Sequence, residues 1–108
     1  MKDYLIVETR DLHDTRDADW TAALAVAFAK KRSKATVFLA ENGVLAARAA
    51  YDAPMLVQLA KKGVKVFADR FALEERGISL NELAKGIEPA EIDFLAEGLA
   101  AGATVIWR

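Results

Sequence analysis

Val64-Lys65-Val66-Phe67-Ala68-Asp69-Arg70-Phe71-Ala72-Leu73-Glu74-Glu75-Arg76-Gly77-Ile78 is the stretch whose reading decides the fold. A run of strand length, apolar apart from Lys65, ends at Asp69, passes directly into a helical turn and stops at Gly77. A buried strand feeding a helix without a long loop is half of a β-α-β unit, so the stretch predicts a parallel α/β sheet. In such sheets ligands bind outside the carboxyl ends of the strands, against the amino ends of the following helices. Asp69 and Arg70 would stand there.

Working outward, Gly63 reads as the C-terminal cap of a helix whose buried stripe is Met55, Leu56, Leu59 and Ala60. Asp52 would cap its start, with Pro54 inside the first turn. Before it, Ala35-Thr36-Val37-Phe38-Leu39-Ala40 is a second apolar run of strand length. That run meets Glu41-Asn42-Gly43, a turn signal in which Asn-Gly readily supplies positive φ, and a short helix is predicted over 44–51. Tyr4-Leu5-Ile6-Val7-Glu8-Thr9 is apolar on both alternating faces for most of its length, as suits a strand covered on both sides. Between these strands come a polar loop over 10–17 and a helix over 18–31, capped by Asp17 or Asp19, with Trp20, Leu24, Ala27 and Phe28 on one face. Downstream, Ser79-Leu80-Asn81-Glu82 fits a capping box and predicts a short helix closed by Gly86. Pro89 is read as the start of a last helix with Ile92, Leu95, Ala96 and Leu99 inward and Glu91, Asp93 and Glu97 toward water. Gly98 within it would mark a close packing contact, and 103–107 reads as a final strand.

The expected architecture is therefore a single domain over 1–108, three-layer α/β/α, with a mainly parallel sheet of four to five strands. Composition bounds the function. The chain has 15 basic and 16 acidic residues, a formal charge of −1, without the basic excess that a nucleic-acid surface requires. The run Lys30-Lys31-Arg32-Ser33-Lys34 falls at a predicted helix C-terminus, where cations complement the macrodipole. No stretch reaches the roughly 18 apolar residues that span a bilayer, and the apolar run after Met1 is too short for a signal peptide, so a cytoplasmic protein is expected. There is no cysteine, which removes disulfides, thiolate metal sites and thiol nucleophiles from consideration. Phosphate-binding loops, nucleophile elbows, metalloprotease motifs and dinucleotide fingerprints are absent too, and no cofactor is expected.

The buried strand, polar junction and helix ending in Arg76-Gly77-Ile78 resemble the central segment of the DsrE/DsrF-like family, which includes the sulfur-relay TusD type. Ala35 to Val44 is similar to that family's second strand and its following turn. Ala22-Ala23-Leu24-Ala25-Val26-Ala27 resembles its alanine-rich first helix, Gly86-Ile87-Glu88 its Gly-Val-Glu, and Ala103-Thr104-Val105-Ile106-Trp107 its closing strand. The resemblance implies a fifth strand, whose position the residues leave open. It also implies assembly as a homo-oligomer, a trimer or hexamer, and partners among sulfur-relay proteins. Sulfur-carrying members keep a cysteine at the strand end, eight residues before the Gly of Arg-Gly-Ile. Here that position is Asp69, so persulfide transfer is not expected and a binding or scaffold role is.

Bringing the strand ends to one edge would gather Thr9, Arg10, Asp11 and His13 from the first loop, Glu41 and Asn42 from the second, and Asp69 and Arg70 from the third. Of these, six, Arg10, His13, Glu41, Asn42, Asp69 and Arg70, are the candidate ligand-binding residues of a polar pocket, suited to an anion-binding protein or an enzyme if the scaffold reading fails. Simpler readings stand beside this one. The first loop is polar as capping loops are, and Asp69 serves as an N-cap or as the ion-pair partner of Arg70 or Arg76. Arg70 at a helix start opposes the dipole and calls for an anion or an acidic neighbour. Trp20, Phe28, Phe38, Phe67 and Phe71 read as core or subunit-interface residues.

Overall fold

A computed structural model of the chain describes residues 3–11, 34–50 and 54–107. His13, the predicted helix over 18–31 with Trp20 and Phe28, the basic run up to Ser33, Tyr51 and the cap at Asp52 lie outside the described residues. Five strands form one sheet: β1 (Asp3–Glu8), β2 (Lys34–Leu39), β3 (Lys65–Asp69), β4 (Ile87–Ala90) and β5 (Thr104–Trp107). Every pairing is parallel and the order is β4-β3-β2-β1-β5. Three α-helices are described, α1 (Pro54–Lys61), α2 (Arg70–Glu75) and α3 (Asp93–Ala100), with 3₁₀ helices at Glu41–Ala47 and Leu80–Glu82.

Apolar residues on both sides of the strands explain why the sheet is buried on both faces. Ile6, Val37, Leu39, Val66 and Ala68 join Leu56 and Leu59 of α1 and Leu73 of α2 in one core cluster. The alternate residues Leu5, Val7, Phe38 and Ala40 form the second with Leu95 of α3. The steps from β1 to β4 run one way across the sheet, and the last connection returns past β1. A constant right-handed crossover places a returning helix on the opposite face, and α3 is found there. Its Phe94 stacks on Phe38 with ring centroids 6.0 Å apart and tilts against Phe67 at 4.8 Å.

The central stretch folds as its residues predict. Arg70 opens α2 with no loop after Asp69. At the other end Gly77 adopts φ +66, Gly77 N–H donates to Glu74 C=O at 3.1 Å and Ile78 N–H to Leu73 C=O at 2.9 Å. This double return is a Schellman cap, and Ile78 meets Leu73 in the same core cluster, the apolar contact that accompanies such caps. Gly63 and Gly102 end α1 and α3 with the same pair of bonds, through Val64 to Leu59 and through Ala103 to Gly98. The caps at Gly63 and Gly102 deliver the chain straight into β3 and β5, whereas the one at Gly77 leads first into the 3₁₀ turn Leu80–Glu82.

Four expectations are corrected. Glu41–Ala47 is a 3₁₀ helix in place of the α-turn predicted over 44–51, and the positive φ falls on Glu41 (φ 50), not on Asn42 or Gly43. Ser79 makes no side-chain cap bond, and the segment to Gly86 holds only the 3₁₀ turn Leu80–Glu82. Pro89 belongs to β4, the strand that the sequence reading left unplaced. Proline suits a helix start, but an edge strand tolerates it as well, and the apolar Ile87 pairing with Val66 settles it as strand. Because α3 begins at Asp93, its inward stripe is Phe94, Leu95 and Gly98, while Ile92 and Leu99 are exposed.

Two glycines permit close approach. A β-carbon on Gly98 would collide with the Leu5 side chain, and one on Gly43 would collide with the backbone carbonyl oxygen of Glu8. The first neighbour is a side chain with some freedom to rotate, whereas the second is a fixed strand carbonyl. Gly43→Ala should therefore cost about 3 kcal/mol, the upper end of overpacking penalties. Gly98→Ala should cost about 1 kcal/mol after the helix-propensity gain. Urea unfolding with an unchanged m-value checks both.

Candidate functional site

The carboxyl edge of the sheet opens into a cleft of about 370 Å³. Each strand end contributes to its wall: Thr9 after β1, Ala40 and Glu41 after β2, Asp69 of β3, Glu91 and Ile92 after β4, and Trp107 of β5. Phe71, Ala72 and Glu75 of α2 complete the described wall. Parallel strands make this gathering inevitable, because all five end on the same side.

Asp69 is the one buried carboxylate among the described lining residues. It is 8% exposed, and its Oδ1 is fully buried with no hydrogen-bond partner among the described residues. It occupies the N-cap position of α2 with extended backbone (φ −63, ψ 119), yet its side chain makes no capping bond. Neither arginine takes it as partner. Arg70 Nε pairs with Glu91 Oε1 at 2.9 Å, the acidic neighbour that its place at a helix start called for. Arg76 donates through Nε and Nη2 to Asn42 Oδ1 at 3.2 and 3.0 Å, and its Nη1 lies 3.7 Å from Glu75 Oε1. Both simple readings of Asp69, cap and ion-pair partner, are thus corrected.

Of the six residues singled out from sequence, Asp69 and Glu41 share the cleft wall. Arg70 is at the rim through Glu91, and Asn42 is engaged by Arg76 outside the wall. Arg10 donates its backbone N–H to Glu8 Oε1 at 3.2 Å, close to the strand end but not in the described wall. His13 lies outside the described residues. Sequence reasoning missed Glu75, Glu91, Phe71, Ile92 and Trp107. Phe71 is 64% and Trp107 63% exposed, so of the two places expected for the aromatics Phe38 takes the core and Phe71 does not. The rule that strand ends carry sites could have found Trp107. Glu91 was hidden by the misplaced helix start.

Electrostatically the wall is acidic. Asp69, Glu41, Glu75 and Glu91 line it, and among the described residues no cationic side chain does. No group of three or more His, Asp or Glu side chains among the described residues is arranged to hold a metal ion. No described helix is long and apolar enough to cross a membrane.

Comparison with known proteins follows the same lines. The model of the DsrE/DsrF-like family matches residues 2–107. Among solved structures, the YchN protein of E. coli superposes with a TM-score of 0.89 at 21% identity, covering 100% of both chains. MTH1491 of Methanobacterium thermoautotrophicum, a protein of unknown function, gives 0.78 at 14% identity over 100% of both chains. BT1422 of Bacteroides thetaiotaomicron, also of unknown function, gives 0.75 at 20% identity over 99% of this chain and 95% of that one. At these identities the superpositions show a shared fold. No curated protein matches the sequence.

A carboxylate serving as N-cap costs about 0.5–2 kcal/mol when replaced by alanine, whereas removing a buried acceptor that has no donor relieves an unmet desolvation penalty. Asp69→Ala should leave unfolding free energy unchanged or raise it by up to about 1 kcal/mol. Urea titration of both proteins reads the difference, and a loss of stability would restore the capping role.

Proposed function

Because this chain belongs to the DsrE/DsrF-like family, we propose that it is a non-catalytic binding or scaffold subunit of intracellular sulfur relay. Asp69 carries that reading. It holds the strand-end place where the resemblance puts the sulfur-carrying cysteine, and a carboxylate cannot take up sulfane sulfur, which requires a thiolate nucleophile. No other cysteine could substitute for it. What the position retains is a cleft with a buried, unpartnered carboxylate.

Assembly into a homotrimer or homohexamer, contact with other sulfur-relay proteins and a cytoplasmic setting belong to the same proposal. Phe71, Ile92 and Trp107, exposed at the mouth of the cleft, support it, because apolar side chains grouped on a surface favour contact with another molecule. The competing reading is a small-ligand protein or an enzyme working at the polar rim. The cleft favours its small-ligand part, but four lining carboxylates oppose an anion.

Incubated with a persulfide donor, the protein should acquire no added sulfur by mass spectrometry. Light scattering should give a mass that is three or six times the 11.8 kDa chain. Sulfur uptake, or a monomer at the concentrations found in cells, would overturn the subunit reading.

A further inference from the structure

We propose that the cleft binds a small organic cation, and that a protonated aliphatic diamine is the class that fits it. The inference deepens the reading just given, since it names what a site that has lost sulfur chemistry would hold.

Charge accounts for the first part. Of the four lining carboxylates, Glu91 is matched by Arg70 and Glu75 by Arg76. Asp69 and Glu41 form no ion pair with any described residue, which leaves two negative charges in one cleft. Asp69 is more than an additional acid in a cluster. The residue is over nine-tenths buried, it lines the cleft, and its Oδ1 lacks a donor among the described residues. Such an acceptor is strongly unfavourable when left unmet, and a cationic donor satisfies it best.

The rest of the wall selects among cations. Hard metal ions require several oxygen ligands converging on one point, and no described group of acidic side chains converges in that way. Phe71, Ile92 and Trp107 instead present apolar and aromatic surface beside the carboxylates. Methylene groups pack on such surface, and aromatic faces attract ammonium groups. Asp69 is buried while Glu41 is exposed, so the two charges mark an inner and an outer position. A chain with an ammonium at each end and carbon between them matches that arrangement. The volume of about 370 Å³ is in the range of small-molecule sites.

Calorimetric titration of the full chain at physiological ionic strength, with 1,4-diaminobutane as probe, tests this. Saturable binding of one diamine per chain is expected, with butane-1,4-diol, sodium sulfate and magnesium chloride giving no saturable heat. Asp69→Asn should weaken the diamine at least about 10-fold, and Glu41→Gln about threefold because that carboxylate is solvated. Trp107→Ala, at an exposed position, should also weaken it. Should Asp69→Asn fail to fold by circular dichroism, Glu41→Gln and Trp107→Ala decide instead. Undiminished binding in the folded variants, absence of saturable heat from the natural chain, or preference for magnesium or sulfate would overturn the proposal. A chain that binds no diamine and takes up no sulfur would overturn this inference and leave the subunit reading intact. A chain that takes up sulfur would overturn both.

Discussion

The near-contact between the backbone of Gly43 and the carbonyl of Glu8 governs the carboxyl edge of the sheet. Ala40 N–H donates to that same carbonyl at 3.0 Å, and Gly43 N–H turns back to Ala40 C=O at 2.8 Å. Together these bonds dock the start of the Glu41–Ala47 helix on the ends of β1 and β2. Glu41 is held at φ 50 as a result, a left-handed conformation that disfavours an L-residue by about 1–2 kcal/mol. That local cost places a second carboxylate beside Asp69 in the wall of the cleft. Residues in sparsely populated backbone regions persist where surrounding structure over-determines them, and they cluster at ligand sites.

The character of the cleft follows from this placement. A sulfur-carrying thiol works best where cations or helix dipoles favour thiolate. Here the two arginines next to the site are drawn off to Glu91 and to Asn42 and Glu75, and carboxylates line what remains. Under the proposed function Asp69 stands in the place of a sulfur-carrying thiol, and the acidic side chains around it would disfavour a thiolate there.

Much of the fold was legible because periodicity and glycine caps reported the same boundaries. Leu59-to-Val64 and Leu73-to-Ile78 are apolar pairs around a glycine, so strand and helix limits there rested on two independent signals. The segment from Ser79 to Ile92 misled because its local chemistry suits helices. A capping-box pattern and a proline after Gly-Ile-Glu outweighed the short apolar signal of β4, whose assignment depends on pairing with Val66 and Phe67 across the sheet. The site was partly legible for a related reason. Topology alone brings strand ends together, so Asp69 and Glu41 could be anticipated. Which arginine meets which acid is decided by side-chain reach in three dimensions, and sequence order carries little of that.

Pro89 has one more effect. It lies in β4, which among the described residues has only β3 as a strand neighbour, and proline has no amide hydrogen to offer an incoming chain. That flank is thus a poor template for further strands, whereas the short β5 on the other side keeps all its amides. Lateral growth of the sheet, and with it any tendency toward fibrils, is consequently directed to the β5 flank.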